Sequence, residues 1–188
     1  MNTYITEITD VFNISIFQEI ASKLITPEWL ESSDPGSLQK FTDKFPIDIN
    51  EYAELSLLRK KYPSLSRYLK FMKSTRGSWP VHIDNQRNSA INIPISNTAN
   101  TITRFYTGGT PVNKVHAMFG NVLNDWYSNE YITYIKDSQK HYDHILTVPT
   151  LVNTAKPHNI INNSDTPRIV CSWATTLSYE EAQKEFNV

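Results

Sequence analysis

Histidine and aspartate recur in a three-residue pattern that could bind a metal ion. One copy is His82-x-Asp84 and the other is His141-x-Asp143. On a β-strand, residues i and i+2 point to the same side, so the imidazole and the carboxylate of either pair can converge on one ion. Two imidazoles and one carboxylate on one face of a divalent metal leave the other face open for ligands. Either pair therefore needs a second histidine from a distant strand.

The length of chain after each pair distinguishes them. Asp84 is followed after 74 residues by His158, which is enough chain for several strands. After Asp143 the remaining histidines are His144, its direct neighbour, and His158, fifteen residues further on. That spacing leaves room for little more than a hairpin. We therefore predict that His82, Asp84 and His158 are the metal ligands and the catalytic residues.

The second pair lies in a polar stretch, residues 137–143, that predicts a loop. We predict that His141, Asp143 and His144 belong to a solvated face. His116, in an apolar stretch, is predicted to be a packed or surface histidine rather than a ligand.

An arginine stands at the start of the last apolar run of the chain. Arg168 follows His158 by ten residues and opens the segment 168–175. A buried guanidinium must be paired, and a ligand carboxylate pairs it through two parallel hydrogen bonds. An internal ion pair is the alternative. Asn92, within another apolar run, could donate to the same ligand or satisfy a neighbouring backbone group.

Five further polar or aromatic residues have no role that the sequence decides. Arg87 and Asn153 could touch a ligand, although a solvent-facing position in a turn is the simpler prediction for Arg87. Trp79, Tyr106 and Trp173 could line the mouth of a pocket, but buried aromatic side chains are more often part of the core.

The composition is that of a soluble globular chain. Of 188 residues, 39% are apolar and 20% charged, and 18 basic against 19 acidic residues give a net charge of −1. This balance gives no electrostatic case for a nucleic-acid partner, and no apolar run is long enough for a membrane span. The single cysteine excludes an internal disulfide and a multi-cysteine metal site, so we expect a reducing, cytoplasmic setting.

Helical patterns predominate before residue 76 and strand patterns after it. The helix signals are a capping box from Ser15 to Gln18, Pro27 at a first helical position, Asn50 as a cap, and a start at Ser64 or Ser66 of a helix through Tyr68, Leu69 and Met72. Eight runs predict strands at 78–83, 89–95, 101–107, 114–119, 130–135, 144–152, 158–161 and 168–175. A capping box from Ser178 to Glu181 predicts a short terminal helix.

Helices followed by about eight strands predict one α+β domain that is mainly β. Its parts are a helical region (1–75), a jelly-roll core (76–177) and a terminal helix (178–188). We expect the helices to pack on the core and a ligand to bind in its open mouth. The helical region and the loop 121–129 are expected to shape the substrate entrance.

Together, His82-x-Asp84, His158 and Arg168 resemble the Fe(II)/2-oxoglutarate-dependent oxygenases. The segments 81–87, 91–95 and 151–154 are similar to small bacterial and viral members near the aspartyl/asparaginyl and prolyl hydroxylases. Several aspartyl hydroxylases lack the carboxylate ligand that Asp84 supplies here, and Val170 stands where other members have serine.

The resemblance implies a double-stranded β-helix, the cupin-like jelly roll. It implies Fe(II) held by His82, Asp84 and His158, with Arg168 binding the distal carboxylate of 2-oxoglutarate and with O₂ as the other cosubstrate. The implied activity is hydroxylation of an amino acid, a peptide side chain or a small metabolite, with release of succinate and CO₂.

Two other classes of protein remain open from the residues. One is a non-catalytic jelly-roll module that binds a metal or a small acid. The other is a cupin-like metalloenzyme that uses a divalent ion without 2-oxoglutarate. Arg168 discriminates between these predictions, because a cupin has no standing need for a buried arginine beyond the last histidine.

Overall fold

The computed structural model describes residues 2–31, 47–85, 87–116 and 131–188. Its helices are α1 (Ile14–Leu24), α2 (Pro27–Glu31), α3 (Ala53–Lys61) and α4 (Tyr179–Glu185), with a 3₁₀ turn at Ile49–Glu51. Its strands are β1 (Ile5–Glu7), β2 (Ile47–Asp48), β3 (Tyr68–Ser74), β4 (Gly77–Ser78), β5 (His82–Asp84), β6 (Ala90–Ser96), β7 (Thr101–Thr107), β8 (Thr110–His116), β9 (Tyr131–Lys136), β10 (Gln139–His144), β11 (Thr150–Val152), β12 (His158–Asn162) and β13 (Arg168–Ala174).

The described strands form two antiparallel sheets that face each other across a cavity. The first sheet has the order β1-β11-β6-β13-β3-β2, and the second has the order β10-β7-β12-β5-β9-β8 with β4 beside β12. From β3 onward the chain passes repeatedly between the sheets, so that β3, β6, β11 and β13 lie in the first and β5, β7, β10 and β12 in the second. This arrangement is consistent with the predicted jelly-roll sandwich, mainly β and cupin-like.

The six-stranded sheet is buried on both faces. Along β13, Cys171 and Trp173 belong to the hydrophobic core beneath the helices, while Arg168 and Val170 line the cavity. The Trp173 ring lies 6.3 Å from the ring of Phe17 on α1. The predicted packing of N-terminal helices on the β core is therefore correct, and alternate residues of one strand serve the helices and the cavity.

Two capping predictions have opposite outcomes. The side chain of Asn13 accepts a hydrogen bond from the backbone N–H of Ser15 at the start of α1, so the predicted capping box from Ser15 to Gln18 is wrong. At α4 the Ser178 side chain and the Glu181 side chain form the reciprocal capping box that the sequence predicted. The difference is that Asn13, one position before the helix, is itself a strong N-cap residue.

The starts of α2, the 3₁₀ turn and α3 agree only in part with the helix starts predicted from the sequence. Helix α2 begins at Pro27, as predicted. Asn50 caps no helix, because the side chain of Asp48 accepts from its backbone N–H and starts the 3₁₀ turn instead. Helix α3 follows after Tyr52 without a side-chain cap.

The helix predicted to start at Ser64 or Ser66 is wrong, since residues 68–74 form β3. This strand is paired with β2 on one side and β13 on the other and is almost wholly buried. A strand buried on both faces lacks the alternation of apolar and polar residues that identifies half-exposed strands. Strands β1, β2 and β3 also show that the predicted helical region, 1–75, is not wholly helical.

The strand predictions after residue 76 differ in accuracy. The run 101–107 coincides with β7, whereas 78–83 is split into β4 and β5 by a proline-containing turn. The predicted strand 144–152 is wrong, because β10 ends at its first residue and β11 begins only at Thr150. The intervening chain crosses from one sheet to the other. In the part of the chain described here, no helix has the length and apolarity that a membrane crossing requires.

Candidate metal centre and anion pocket

His82, Asp84 and His158 meet between the two sheets. Strand β5 carries the first two and β12 carries the third, and the backbone register places His158 directly opposite His82. One ligand atom of each residue lies within 4.8 Å of the others, and the two imidazole centroids are 4.5 Å apart. All three residues are buried. The structure therefore brings together the three side chains that the spacing predicted, and they could hold one metal ion.

Backbone carbonyls fix the tautomer and the orientation of both imidazoles. His82 Nδ1 lies 2.9 Å from the Pro80 carbonyl oxygen, and His158 Nδ1 lies 2.8 Å from that of Lys156. Because a carbonyl only accepts, each Nδ1 carries a proton, and in a neutral imidazole this leaves the lone pair on Nε2. Burial, with a smaller effect of the neighbouring His82, lowers the pKa of His158 to about 4. His158 is therefore a neutral ligand at neutral pH.

Asp84 is an anion in spite of its burial. Burial alone would raise the pKa of its carboxyl, but the Arg87 guanidinium and the two imidazoles outweigh that effect and hold the pKa at about 2. Asp84 Oδ1 lies 3.7 Å from His82 Nε2, on the side of the histidines. The centre thus combines two imidazole nitrogens with one carboxylate, which is the donor set of facial non-haem iron sites.

Arg87 is a buried partner of this carboxylate rather than the solvent-facing turn residue predicted from the sequence. It is 6% exposed, and its Nη2 and Nε donate to Asp84 Oδ2 at 2.7 and 3.1 Å. The prediction failed because a buried carboxylate must be paired, and an arginine three residues further on is within reach. That i, i+3 spacing is the signal that would have identified it.

The cavity that contains the triad is lined by side chains from both sheets. Its apolar walls include Met72, Val152 and Val170 from the six-stranded sheet and Ile132 and Ile160 from the other. Its volume is about 60 Å³, several times the roughly 10–15 Å³ that one water molecule needs. The cavity is therefore large enough for a small organic acid.

Arg168 is the unusual member of this cavity. It is 3% exposed, and its Nε has no hydrogen-bond partner among the described residues. No ion pair joins it to a carboxylate in the part of the chain that the structure describes, which leaves the predicted internal ion pair without support. Burial lowers the pKa of Arg168 to about 10, so the guanidinium stays charged at neutral pH. A buried cation of this kind calls for an anionic ligand.

The remaining cavity candidates differ in their surroundings. Asn92 lies on β6 with its side chain on the cavity wall, as the prediction requires. Trp79 also lines the cavity, and its buried Nε1 has no acceptor among the described residues. Asn153 instead donates to the Thr3 carbonyl at 3.0 Å, which ties down the N-terminal strand.

Two aromatic candidates lie away from the cavity. Tyr106 donates to Asn159 Oδ1 at 3.3 Å, and Trp173 donates from Nε1 to the Ser66 carbonyl at 2.8 Å within the helix-side core. The side chain of His116 and the predicted entrance loop 121–129 lie outside the described residues.

The second His-x-Asp pair is on a strand, β10, and not in the predicted loop. Asp143 forms ion pairs with Arg104 at 2.6 Å and Lys140 at 2.7 Å. Hydrogen bonding to Arg104, above all, lowers the pKa of this carboxyl to about 2. His141 is exposed, as predicted.

The prediction that His144 is solvated is wrong. The register of β10 places it opposite Thr103, whose side chain lines the cavity, so His144 faces the interior and is buried. Its Nε2 lies 3.5 Å from Thr150 Oγ1, and burial lowers the pKa of its imidazole.

No protein-family model and no curated protein matches this chain. Among solved structures, it is similar to a prolyl-4-hydroxylase of Pseudomonas putida, with 11% identity, a TM-score of 0.44, and coverage of 92% of this chain and 88% of that chain. A hydroquinone 1,2-dioxygenase in complex with Cd²⁺ and 4-hydroxybenzonitrile is 7% identical, with a TM-score of 0.39 and coverage of 82% of this chain and 76% of that chain. An L-ribose isomerase of Acinetobacter sp. DL28 in complex with L-ribose is 12% identical, with a TM-score of 0.32 and coverage of 86% of this chain and 78% of that chain. At such values these likenesses identify no activity for this chain.

Proposed function

We propose that this protein is an Fe(II)- and 2-oxoglutarate-dependent dioxygenase built on a double-stranded β-helix. Its proposed substrate is an amino acid, a peptide side chain or a small metabolite, which it hydroxylates. The observation that carries the proposal is one cavity lined both by a His-Asp-His centre and by a buried arginine without an anionic partner in the described chain.

The donor set supports iron as the metal. The Nδ1 contacts of His82 and His158 leave Nε2 as the donor atom of each neutral ring, and Asp84 presents an ionised carboxylate. Two imidazoles with one carboxylate suit Fe(II) and leave positions open for a bidentate 2-oxo acid and for O₂. A cysteine-rich zinc site is excluded by composition, since the chain has one cysteine.

The buried guanidinium of Arg168, which has no anionic partner among the described residues, supports a dicarboxylate cosubstrate. A 2-oxo acid that binds the metal through one end needs a cation for its other carboxylate, and Arg168 lines the same cavity. Guanidinium forms two parallel hydrogen bonds with a carboxylate, which gives both affinity and orientation. Asn92 is proposed as a further hydrogen-bond donor to the bound acid.

The metal and cosubstrate supply the oxidative chemistry, in which O₂, 2-oxoglutarate and a substrate C–H group give succinate, CO₂ and a C–OH group. The protein contributes binding, orientation and exclusion of water. Carbonyl contacts at both Nδ1 atoms hold the imidazoles in place, and apolar side chains form part of the cavity wall. This chemistry requires no acid–base dyad, so the neutral His158 is compatible with it.

Anaerobic spectroscopy with Fe(II) tests the proposal directly. Adding 2-oxoglutarate to the Fe(II)-loaded protein should give a weak visible charge-transfer band. In Arg168→Ala the concentration needed for that band should rise about 100-fold or more, because removing one partner of a buried charge pair costs about 3–5 kcal/mol. Fe(II) binding itself should survive.

Two further variants make this test specific. Arg168→Lys should restore only part of the affinity, because a point charge cannot form the two-bond fork. Arg104→Ala, which removes a half-buried arginine outside the cavity, should leave the band unchanged. An unaltered 2-oxoglutarate dependence in Arg168→Ala would contradict the proposal and favour a cupin-like metalloenzyme or a binding module. Succinate release in the presence of amino acids, peptides and metabolites would then identify the substrate.

A further inference from the structure

The contacts of Arg87 divide the Asp84 carboxylate into two unlike oxygens. Two N–H groups of the guanidinium, at Nη2 and Nε, donate to Oδ2. The other oxygen, Oδ1, is the one that faces His82 Nε2. Arg87 itself is held from a second element, since its Nη1 donates to Ser172 Oγ on β13 at 3.3 Å. The guanidinium is thus fixed between β5 and β13 with its fork on one carboxylate oxygen.

We propose that Arg87 is a positioning residue that restricts Asp84 to binding the metal through Oδ1 alone. This inference rests on the metal centre of the proposed function and adds a determinant of how many ligand positions that centre offers. A carboxylate binds metals through one oxygen or through both. With Oδ2 engaged by two N–H groups, two-oxygen binding would require those hydrogen bonds to break in a buried site, where their loss is costly.

The number of open positions is what a 2-oxo acid and O₂ together need. With Asp84 bound through one oxygen, a six-coordinate metal keeps about three positions for other ligands. If both oxygens of Asp84 bound, about two would remain, and the bidentate acid alone would fill them. Arg87 therefore acts through Asp84 and need not touch the metal or the substrate.

The charge of Arg87 has an opposing effect on metal affinity. A guanidinium beside the carboxylate draws electron density away from the donor, which weakens its bond to a cation. Loss of Arg87 should therefore not weaken metal binding as a general structural defect would. We expect Mn(II) to bind Arg87→Gln with the same or higher affinity than the wild-type protein, but with fewer bound water molecules.

Pulsed EPR of the Mn(II)-loaded full chain in ¹⁷O-labelled water counts those molecules. The expected numbers are about three in the wild-type protein and about two in Arg87→Gln. The matched control is Arg104→Gln, which removes the arginine from the second His-x-Asp pair and should keep about three. Equal water numbers in wild type and Arg87→Gln would overturn the role of Arg87 and leave the metal centre standing.

A measurement on the wild-type protein keeps the inference falsifiable if Arg87→Gln does not fold. With ¹³C-labelled aspartate, infrared difference spectra on Mn(II) addition report the two carboxylate stretches of Asp84. Their separation should widen, as it does for one-oxygen binding, and a narrowed separation would overturn the inference. A wild-type protein that binds no Mn(II) would contradict the proposed metal centre itself.

Discussion

The two His-x-Asp pairs of this chain have the same local pattern and different fates. Both lie on strands of the seven-stranded sheet, and both aspartates are paired with an arginine. The Asp84 ion pair is 7% exposed on each side, whereas the side chains of the Asp143 pair are 26% and 28% exposed. One pair lies between the sheets, and the other lies on an edge strand.

The neighbouring strand accounts for this difference. Strand β12 places His158 opposite His82, which completes a set of three side chains that could hold a metal ion. Strand β7 places Arg104 opposite Asp143, which neutralises the carboxylate and supplies no further ligand. Whether a His-x-Asp pair can bind a metal therefore depends on the residue on the neighbouring strand. For the first pair that residue is His158, 74 residues after Asp84.

The largest expected contrast between the two pairs is in the stability of the metal-free protein. Arg87→Ala leaves a buried carboxylate without its partner and should lower the free energy of unfolding by about 3–5 kcal/mol. Arg104→Ala removes a half-exposed partner and should cost about 0.2–1 kcal/mol. Urea unfolding in the presence of a chelator measures both, and equal losses would mean that burial does not distinguish the two pairs.

Metal affinity should separate the pairs next. His82→Ala, Asp84→Asn and His158→Ala should each abolish or strongly weaken Mn(II) or Fe(II) binding, because each removes one of the three donors that meet at this centre. His141→Ala and Asp143→Asn should leave binding nearly unchanged. Titration calorimetry measures the metal affinity of each variant. Loss of binding in His141→Ala or Asp143→Asn would show that the metal site was assigned to the wrong His-x-Asp pair.

The smallest contrast is in how salt acts on the two carboxyls. Each has a folded pKa near 2, below its ordinary value of 3.8, so each stabilises the fold above pH 3.8 and loses that contribution as the pH falls through about 2. In 1 M salt the pKa of Asp143 should rise by up to about one unit, because the screening length in the solvent falls to about 3 Å and the attraction of Arg104 and Lys140 weakens. That of Asp84 should stay fixed. Carboxyl ¹³C NMR titrations without metal would test this, and equal salt shifts would contradict it.

The sequence predicted which three candidate metal ligands come together, and it predicted the cavity arginine, because strand patterns and chain separation are one-dimensional signals. His158 and Arg168 stand at the starts of strands that have clear β patterns, and both lie where the patterns placed them. The pairing of Arg87 and the burial of His144 depend on which strand lies alongside, which no local pattern records. Strand β3 was missed for a related reason, since Lys70 and Lys73 are fully buried within it and interrupt its apolar sequence.

The two-sided burial of β13 has a consequence for how this protein can change. Ile169 and Cys171 contact the helix-side core, and Arg168 and Val170 face the cavity from the same strand. Odd-numbered positions are thus available for adjusting thermal tolerance, and even-numbered positions for adjusting selectivity toward small molecules. Because a rigid backbone joins them, an enlarged side chain at Cys171 would shift the neighbouring even-numbered positions. Variant libraries that change either the odd-numbered or the even-numbered positions of β13, but not both, would separate effects on thermal tolerance from effects on selectivity.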